Sequence, residues 1–543
     1  MNRIAVSLPL VLCAAALAQP AASQPSEPAS QPAATKPAQP TREALDAAWQ
    51  EAYAKKDYDG AVKGLEALAR FAPGDPIVRY NLACVHAQRG DIDSAERALK
   101  KCLELGFTDF PRLLNEKDLQ PLNETAVYMA LREGWRELQD TSVDHRLSQF
   151  RRTLSIRNAK GEVTQSAEAR GYQFEKDAKL RLAYVSGFSK DGHAESRHEI
   201  KLITDYWGLC VLPEGVEAVV SEGAKPDPWV LVFLPNNADW ASWATANLGP
   251  KSDRIGGIYD NWKLQLIARD LGSTMRHEYW HSLHWRHMSR IGQVHPVWIQ
   301  EGLCSLIEDV DLIPEGQGKD GRERVVPVAS WRTNTAKRMM KTNLLPKLSV
   351  LMTMDEKTYM GSRALGNYAA SRAFFLWLSS RMAPQPPAPG QPGFAPNPDH
   401  TLLKDWYAAY IADYPTDPSG KTTTERVLGK PIAELDKEFR AWLTALPDVG
   451  EPNTPGLPTL PCDMQPTGGE GMVVIGTATK DLLKNPLLAG DVIVSVAGHP
   501  VRDQSELARL LGKPEFKPGQ KVKIVVRRDG RPFEATVTLG RYE

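Results

Sequence analysis

The sequence predicts a multidomain α+β protein, in which α-helical repeat hairpins are followed by a larger α+β domain and then by a small, mostly β domain. Three observations predict this order. A 34-residue repeat occupies the early part of the chain, helical and strand-like patterns mix through the centre, and apolar residues alternate near the C-terminus. Prolines cluster in residues 19–40, 384–398 and 447–466, and 543 residues exceed what one hydrophobic core supports.

Composition excludes several classes of protein. The chain has 42% hydrophobic and 24% charged residues, which argues against a membrane bundle, a fibre or a wholly disordered chain. Lys+Arg and Asp+Glu both total 66, so the formal net charge is zero. No overall positive field therefore indicates binding to nucleic acid or to an anionic membrane.

The N-terminus resembles an export signal. One early charge, Arg3, precedes an apolar run that ends in Ala16-Leu17-Ala18, which predicts a signal peptide over 1–18 and a disordered Pro/Ala-rich linker over 19–41. The alternatives are an uncleaved anchor and a lipoprotein modified at Cys13, which Leu12 disfavours. We expect a periplasmic or extracellular bacterial protein with no membrane span in the mature chain. The odd set of remaining cysteines predicts buried small hydrophobic residues: Cys84, Cys102, Cys210, Cys304 and Cys462.

The repeat predicts helical hairpins over 42–140. Asp57 and Asp91 lie 34 residues apart, as do Leu65 and Leu99. Residues 42–107 resemble two tetratricopeptide repeats, and we expect 108–140 to cap them. Such hairpins serve either as a docking surface or as an architectural spacer, and the sequence leaves both open. The polar composition of 141–175 predicts a connector.

The residues that could bind a metal or transfer a proton lie in the centre of the chain. His277, Glu278 and His281 form an HExxH motif on a segment of helical character. Residues four apart share a helix face, so both imidazoles can bind one Zn²⁺ while Glu278 faces a water molecule. The motif thus predicts two metal ligands and a general base.

A third ligand is expected in Trp298-Ile299-Gln300-Glu301-Gly302-Leu303, where Glu301 follows His281 by twenty residues. The rival ligand is His287, at the metzincin position, but that geometry needs a helix break where His284 stands. We therefore expect Glu301 to complete an open site of three ligands. His284 is either a neighbour of the metal ligands or a packed core histidine.

HEYWH followed by the glutamate of WIQEGL resembles the gluzincin metallopeptidases, and is closest to the peptidase MA-like group. The resemblance covers about 228–445, and predicts a metallopeptidase domain over 176–446 with a Pro-rich insert at 384–398. It implies one Zn²⁺ per catalytic domain, and peptide-bond hydrolysis by metal-activated water with Glu278 as general base. Gluzincins usually add a residue that stabilises the oxyanion. The candidates here are Tyr359, Tyr368 and His295.

After a Pro-rich linker over 447–466, residues 467–543 resemble a PDZ domain. The string from Ala489 to Gly498, AGDVIVSVAG, carries this resemblance. PDZ domains bind C-terminal peptides as an added strand. The resemblance places the peptide beside Gly471, Met472 and Val473, next to an acidic Glu470.

Together these features predict a secreted zinc endopeptidase, whose PDZ domain and helical repeats bind substrates or partner proteins. One alternative is a catalytically inactive envelope scaffold that binds peptides, and another is a zinc hydrolase of non-peptide amides. The sequence leaves open whether the PDZ domain recruits substrate or regulates the cleft.

Overall fold

The computed structural model describes residues 41–215, 227–248, 256–316, 321–381, 401–466, 470–477 and 485–543. The predicted signal peptide (1–18), nearly all of the linker (19–41) and the insert (384–398) lie outside the described residues. Within these ranges, no helix is both long enough and apolar enough to cross a membrane.

The chain begins with two helical hairpins, the repeat unit. Asp57 and Asp91, the pair 34 residues apart, each cap a helix by accepting a hydrogen bond from a backbone N–H three residues on. The 34-residue period therefore partly reflects the regular spacing of helix N-caps. Ala61, Leu65 and Leu99 are fully buried between the helices. The four helices are α1 (Arg42–Ala54), α2 (Tyr58–Phe71), α3 (Pro76–Arg89) and α4 (Ile92–Glu104).

The face formed by α1 and α3 is covered by the chain itself. Helix α5 (Phe110–Asn115) leads into a short 3₁₀ helix (Lys117–Leu122) that packs on α3. Tyr53 donates a hydrogen bond of 2.7 Å to Asp118, and Tyr80 donates one of 2.7 Å to Glu116. This face is therefore occupied by the protein's own residues, which favours the architectural interpretation of the repeats.

The predicted connector 141–175 is largely regular structure. Helix α6 (Ala126–Leu154) runs through the expected boundary at residue 140, and a hairpin of β1 (Ile156–Arg157) and β2 (Val163–Gln165) follows. Val143 and Leu147 are four residues apart and lie on one helix face, buried against the central sheet. The segment was predicted as a connector because its overall composition is polar, although it contains this apolar stripe.

The central domain contains a five-stranded mixed sheet in the order β3-β4-β5-β7-β6. β4, β5 and β7 are parallel, while β3 and the edge strand β6 are antiparallel to their neighbours. β6 is thus an edge strand of this sheet. The strands are β3 (Gln173–Asp177), β4 (Leu182–Ser186), β5 (Val230–Leu234), β6 (Gly257–Asp260) and β7 (Gln265–Ala268). Three helices belong to this half, α7 (Lys190–Cys210), α8 (Asn237–Leu248) and α9 (Ser273–Ile291).

The turn between β6 and β7 is anchored in the repeat unit. Trp262, in this turn, is buried in the same hydrophobic cluster as Tyr80 and Phe107. The Arg112 guanidinium lies 3.7 Å from the centre of the Trp262 ring. The hairpin that carries the edge strand is therefore held by residues from the start of the chain.

The second half of the central domain is mostly helical. Gly302 permits one of its close contacts, because a Cβ at that position would lie 2.6 Å from the Phe375 ring. The elements are α10 (Val297–Leu306), β8 (Val310–Ile313), β9 (Arg324–Pro327), α11 (Trp331–Lys341), α12 (Leu348–Leu351), α13 (Glu356–Tyr359), α14 (Ala364–Ser379), α15 (Leu402–Asp413), α16 (Lys421–Leu428) and α17 (Ile432–Ala445).

The C-terminal module is an antiparallel sheet, in the order β11-β12-β13-β15-β16, packed on one helix. β14 pairs with β13, and β10 pairs with β17. Its elements are β10 (Pro458–Thr459), β11 (Cys462–Pro466), β12 (Met472–Thr477), β13 (Val492–Val496), β14 (His499–Pro500), α18 (Gln504–Leu511), β15 (Lys521–Arg528), β16 (Arg531–Thr538) and β17 (Gly540–Arg541).

The start of α18 faces the start of α9, the helix with the HExxH motif. Asp503, the N-cap of α18, accepts a hydrogen bond of 2.8 Å from the Glu506 N–H and one of 3.4 Å from the Ser273 hydroxyl. Burial, together with the charges of Glu506, Asp309 and Asp270, raises the pKa of Asp503 to about 7. The ionised carboxylate is thus unfavourable at this contact.

We expect Asp503→Asn to stabilise the protein at pH 8 but much less at pH 5. The folded-state pKa of Asp503 is raised, so its contribution to stability is favourable at low pH and is lost as the pH rises from about 4 towards 7. Asn keeps the N-cap acceptor without the charge. Thermal unfolding at both pH values should show a gain of about 2–4 °C at pH 8. An equal gain at pH 5, or a loss at pH 8, would contradict this.

Candidate metal centre

Helix α9 brings the two predicted histidine ligands together. The Nε2 atoms of His277 and His281 lie 3.1 Å apart, and both side chains are buried. The helix begins after Gly272 as its N-cap, so Ser273 is its first residue. The hydroxyl of Ser273 instead contacts Asp503 of the C-terminal module.

Glu301 reaches the same point from α10. Its Oε2 atom lies 3.3 Å from His277 Nε2 and 3.6 Å from His281 Nε2. The side chain is buried, and neither carboxylate oxygen has a hydrogen-bond partner among the described residues. Burial raises the pKa of Glu301, but the imidazoles of His281 and His277 outweigh that effect and lower the pKa to about 2.

These three atoms fit a zinc ion. Ligands about 2.1 Å from a tetrahedral zinc are separated from one another by about 3.4 Å. The separations here are 3.1, 3.3 and 3.6 Å. A buried carboxylate without hydrogen-bond donors is costly unless a cation neutralises it. The donor set and the unpartnered oxygens of Glu301 therefore both fit a metal at this position.

Glu278 lies beside the cluster and is held by the edge strand. The backbone N–H of Tyr259 in β6 donates to its carboxylate, while Oε1 has no partner among the described residues. β6 comes this close because of Gly257, since a Cβ there would lie 2.9 Å from Glu278 Cγ. Burial raises the pKa of Glu278 to about 6, against the opposing effect of His277 and His281. Such a carboxylate is ionised at neutral pH yet basic enough to take a proton.

Glu308 orients the first histidine. Its Oε1 atom lies 2.8 Å from His277 Nδ1, which leaves Nε2 facing the cluster. Arg332 binds both oxygens of Glu308. Burial raises the pKa of Glu308, but Arg332 and His277 outweigh it and lower the pKa to about 2. Glu308 is not among the site residues predicted from sequence, although an acidic side chain seven residues after Glu301 is a detectable signal.

Cys304 was predicted as an ordinary buried residue, but it lies beside His277 and His281. It is fully buried, one helical turn after Glu301. Its Sγ atom and one ring nitrogen each from His277 and His281 are mutually within 4.8 Å. Cys304 is thus a second candidate for the third ligand position.

The other histidines of α9 belong to a neighbouring aromatic cluster. His287, the rival ligand, has its Nδ1 atom 2.8 Å from the Tyr407 hydroxyl. His284 Nε2 lies 2.8 Å from His295 Nδ1. Burial lowers the pKa of His287 to about 4 and that of His295 to about 3. These imidazoles are neutral at pH 7 and are packed in the core.

Two tyrosines, Tyr359 and Tyr368, were candidates for stabilising an oxyanion, and they have different surroundings in the structure. Tyr359 donates a hydrogen bond of 3.1 Å to the hydroxyl of Ser371. The ring of Tyr368 lies 6.4 Å from the ring of His277, centre to centre. Its hydroxyl has a weak contact of 3.6 Å with the sulfur of Met360. The ring of Tyr368 is thus beside that of His277.

The predicted peptide site of the C-terminal module also differs from the structure. Met472 and Val473, which follow Gly471, are paired with β11 on one side and β13 on the other, so no strand can add there. Glu470 contacts the backbone and hydroxyl of Ser189 at the start of α7. β11 is an edge strand, and a groove lies between it, α18 and the segment 451–459. Its lining includes Leu457, Met464, Leu507, Ala508 and Leu511.

Comparisons with known proteins identify one part of the chain. The family model for the PDZ domain matches residues 470–539, which confirms the predicted C-terminal PDZ domain. Among solved structures, an aminopeptidase N family protein from Idiomarina loihiensis is 12% identical. The match covers 68% of this chain and 67% of that protein with a TM-score of 0.26, too low to establish a shared fold. The search of curated proteins found no match.

Proposed function

We propose that this protein is a zinc-dependent peptidase with one Zn²⁺ held by His277, His281 and Glu301. The observation that carries the proposal is the cluster of two imidazole nitrogens and one unpartnered carboxylate oxygen at tetrahedral separations. A zinc ion in such a site lowers the pKa of a bound water towards 7 and polarises a substrate carbonyl.

The protein residues have distinct roles in this proposal. Glu278 accepts the proton of the attacking water and passes it to the leaving amine, for which a pKa of about 6 is suited. Glu308 holds His277 in the tautomer that presents Nε2. Tyr368 is the favoured donor to the oxyanion, because its ring lies beside that of His277. An unchanged kcat in Tyr368→Phe would remove it from this role.

The edge strand favours a peptide as substrate over other amides. Among the described residues β6 pairs only with β7, so its other edge can accept an extended chain. Tyr259 of this strand also holds Glu278. A peptide added to β6 would therefore lie next to the base.

The remaining parts of the proposal concern location and partners. The PDZ domain binds peptide C-termini, and the groove between β11 and α18 is the favoured site because β11 is an edge strand. The repeat unit serves as a spacer, since its α1 and α3 face is covered by the chain itself. We also propose that the protein is exported to the periplasm or beyond, through the N-terminal signal.

Metal analysis combined with a cleavage assay tests the proposal. Purified protein should contain about one zinc per chain and hydrolyse members of a peptide library. Removal of zinc with a chelator should abolish hydrolysis, and added Zn²⁺ should restore it. Absence of zinc, or hydrolysis that survives its removal, would overturn the proposal. Bound zinc without hydrolysis of any peptide would favour the inactive scaffold.

A further inference from the structure

We propose that Glu506, a residue of the PDZ domain, is a positioning residue for the metal centre. The proposal rests on the function proposed above, and it adds that the PDZ domain is part of the catalytic architecture. The connection runs from Glu506 through Arg276 and Glu308 to His277.

Helix α18 has two faces with different neighbours. Leu507 and Leu511 face the core of the PDZ domain and the groove beside β11. Glu506 and Arg509 face the central domain, where they contact Arg276 and Asp311. The helix that lines the groove is thus the same helix that touches α9.

Arg276 is the residue before the ligand His277, and Glu506 holds it from across the domain boundary. Its Nη2 atom lies 2.5 Å from Glu506 Oε1, and both side chains are buried. The other oxygen of Glu506 accepts a hydrogen bond of 2.8 Å from the backbone N–H of Arg502, which fixes the carboxylate at the start of α18. A second acidic neighbour, Glu199, is 3.6 Å from Arg276 Nη1. Glu506 is therefore the principal anion for a buried guanidinium.

The position of Arg276 affects the metal centre because Arg276 binds Glu308, which contacts His277. The Nε and Nη2 atoms of Arg276 donate to the Glu308 carbonyl at 3.1 and 2.6 Å. The Glu308 carboxylate in turn lies 2.8 Å from His277 Nδ1. Without Glu506, the guanidinium loses the contact that aims it at this carbonyl. The backbone of Glu308 then gains freedom, and the orientation of the His277 ring becomes less defined.

One contact between the two domains lies away from α9, and it provides a matched control. Glu470 of the PDZ domain binds Ser189 at the start of α7 and Arg527 within its own domain. If Glu506 only held the domains together, the loss of either carboxylate would have the same effect. If Glu506 positions the metal centre, only its own loss affects zinc.

The experiment compares Glu506→Gln with Glu470→Gln in the full chain. Zinc affinity is measured by competition with a chelator, and the visible spectrum of the Co²⁺-substituted protein reports ligand geometry. We expect Glu506→Gln to weaken zinc affinity and lower kcat by about 10-fold each, with KM unchanged and the Co²⁺ bands shifted. Glu470→Gln should match the wild type in all four measurements.

Near-ultraviolet circular dichroism verifies that each variant is folded. If Glu506→Gln does not fold, Arg276→Lys takes its place. Lysine retains a charge for Glu506 but cannot donate to the Glu308 carbonyl with the same fork, so the same losses are expected.

Wild-type affinity, spectrum and kcat in the folded variant would overturn the inference, as would equal losses in Glu470→Gln. Both results differ from failure of the proposed function, in which the wild-type protein itself neither binds zinc nor cleaves peptides. That last result would overturn the inference as well.

Discussion

Glu278→Gln should lower kcat for peptide hydrolysis by about 10²–10⁴-fold while the zinc content stays the same. Glutamine has the size of glutamate but cannot accept a proton from water. The carboxylate of Glu278 is buried, with one oxygen unpartnered among the described residues. Steady-state kinetics with metal analysis of the same sample measures both quantities.

Glu356→Gln is the matched control for this prediction. Burial and the charge of Glu301 raise the pKa of Glu356, so it shares the electrostatic environment of the site. It has no role in the proposed proton transfer, and its replacement should leave kcat within about twofold, below one kcal/mol of barrier. Full activity in Glu278→Gln would exclude Glu278 as the base.

Glu301→Gln should weaken zinc binding by more than about 100-fold, beyond the range expected for residues outside the ligand shell. Its Oε2 atom lies 3.3 and 3.6 Å from the two ligand nitrogens, and its oxygens have no other partner in the described structure. Competition with a chelator measures the affinity.

Cys304→Ser serves as the comparison, because Cys304 is the other candidate for the third ligand. Serine preserves the size of the side chain but is a much poorer zinc ligand than a thiolate. We expect its affinity to remain within about threefold of the wild type. If Cys304→Ser loses zinc and Glu301→Gln retains it, the ligand set is His277, His281 and Cys304.

The local part of the site could be predicted from sequence because it depends on helix periodicity. His277 and His281 share a face of any regular helix, and the structure places both on α9 with Glu301 on α10 as expected. Cys304 lies one helical turn after Glu301, so its proximity to His277 and His281 follows from the same periodicity. The cysteines of the sequence show no metal-binding spacing, so Cys304 was not predicted as a ligand.

The residues that support the site could not be predicted in the same way. Glu308 acts on His277 because α11 brings Arg332 to it, and Arg276 is fixed by a helix more than two hundred residues later. Such contacts depend on tertiary approach, which no local pattern encodes. The strands of the PDZ domain follow from alternation, whereas the identity of the edge strand, β11 rather than β12, follows from topology alone.

The burial of Trp262 bears on how the chain can be divided. The turn that carries it projects out of the central domain and ends inside the hydrophobic cluster of the helical hairpins, under Arg112. A fragment that starts at residue 176 would expose this indole to water and leave the strand beside Glu278 attached at one side only. The N-terminal helices therefore support the turn between β6 and β7, and a fragment that retains the proposed activity should include them.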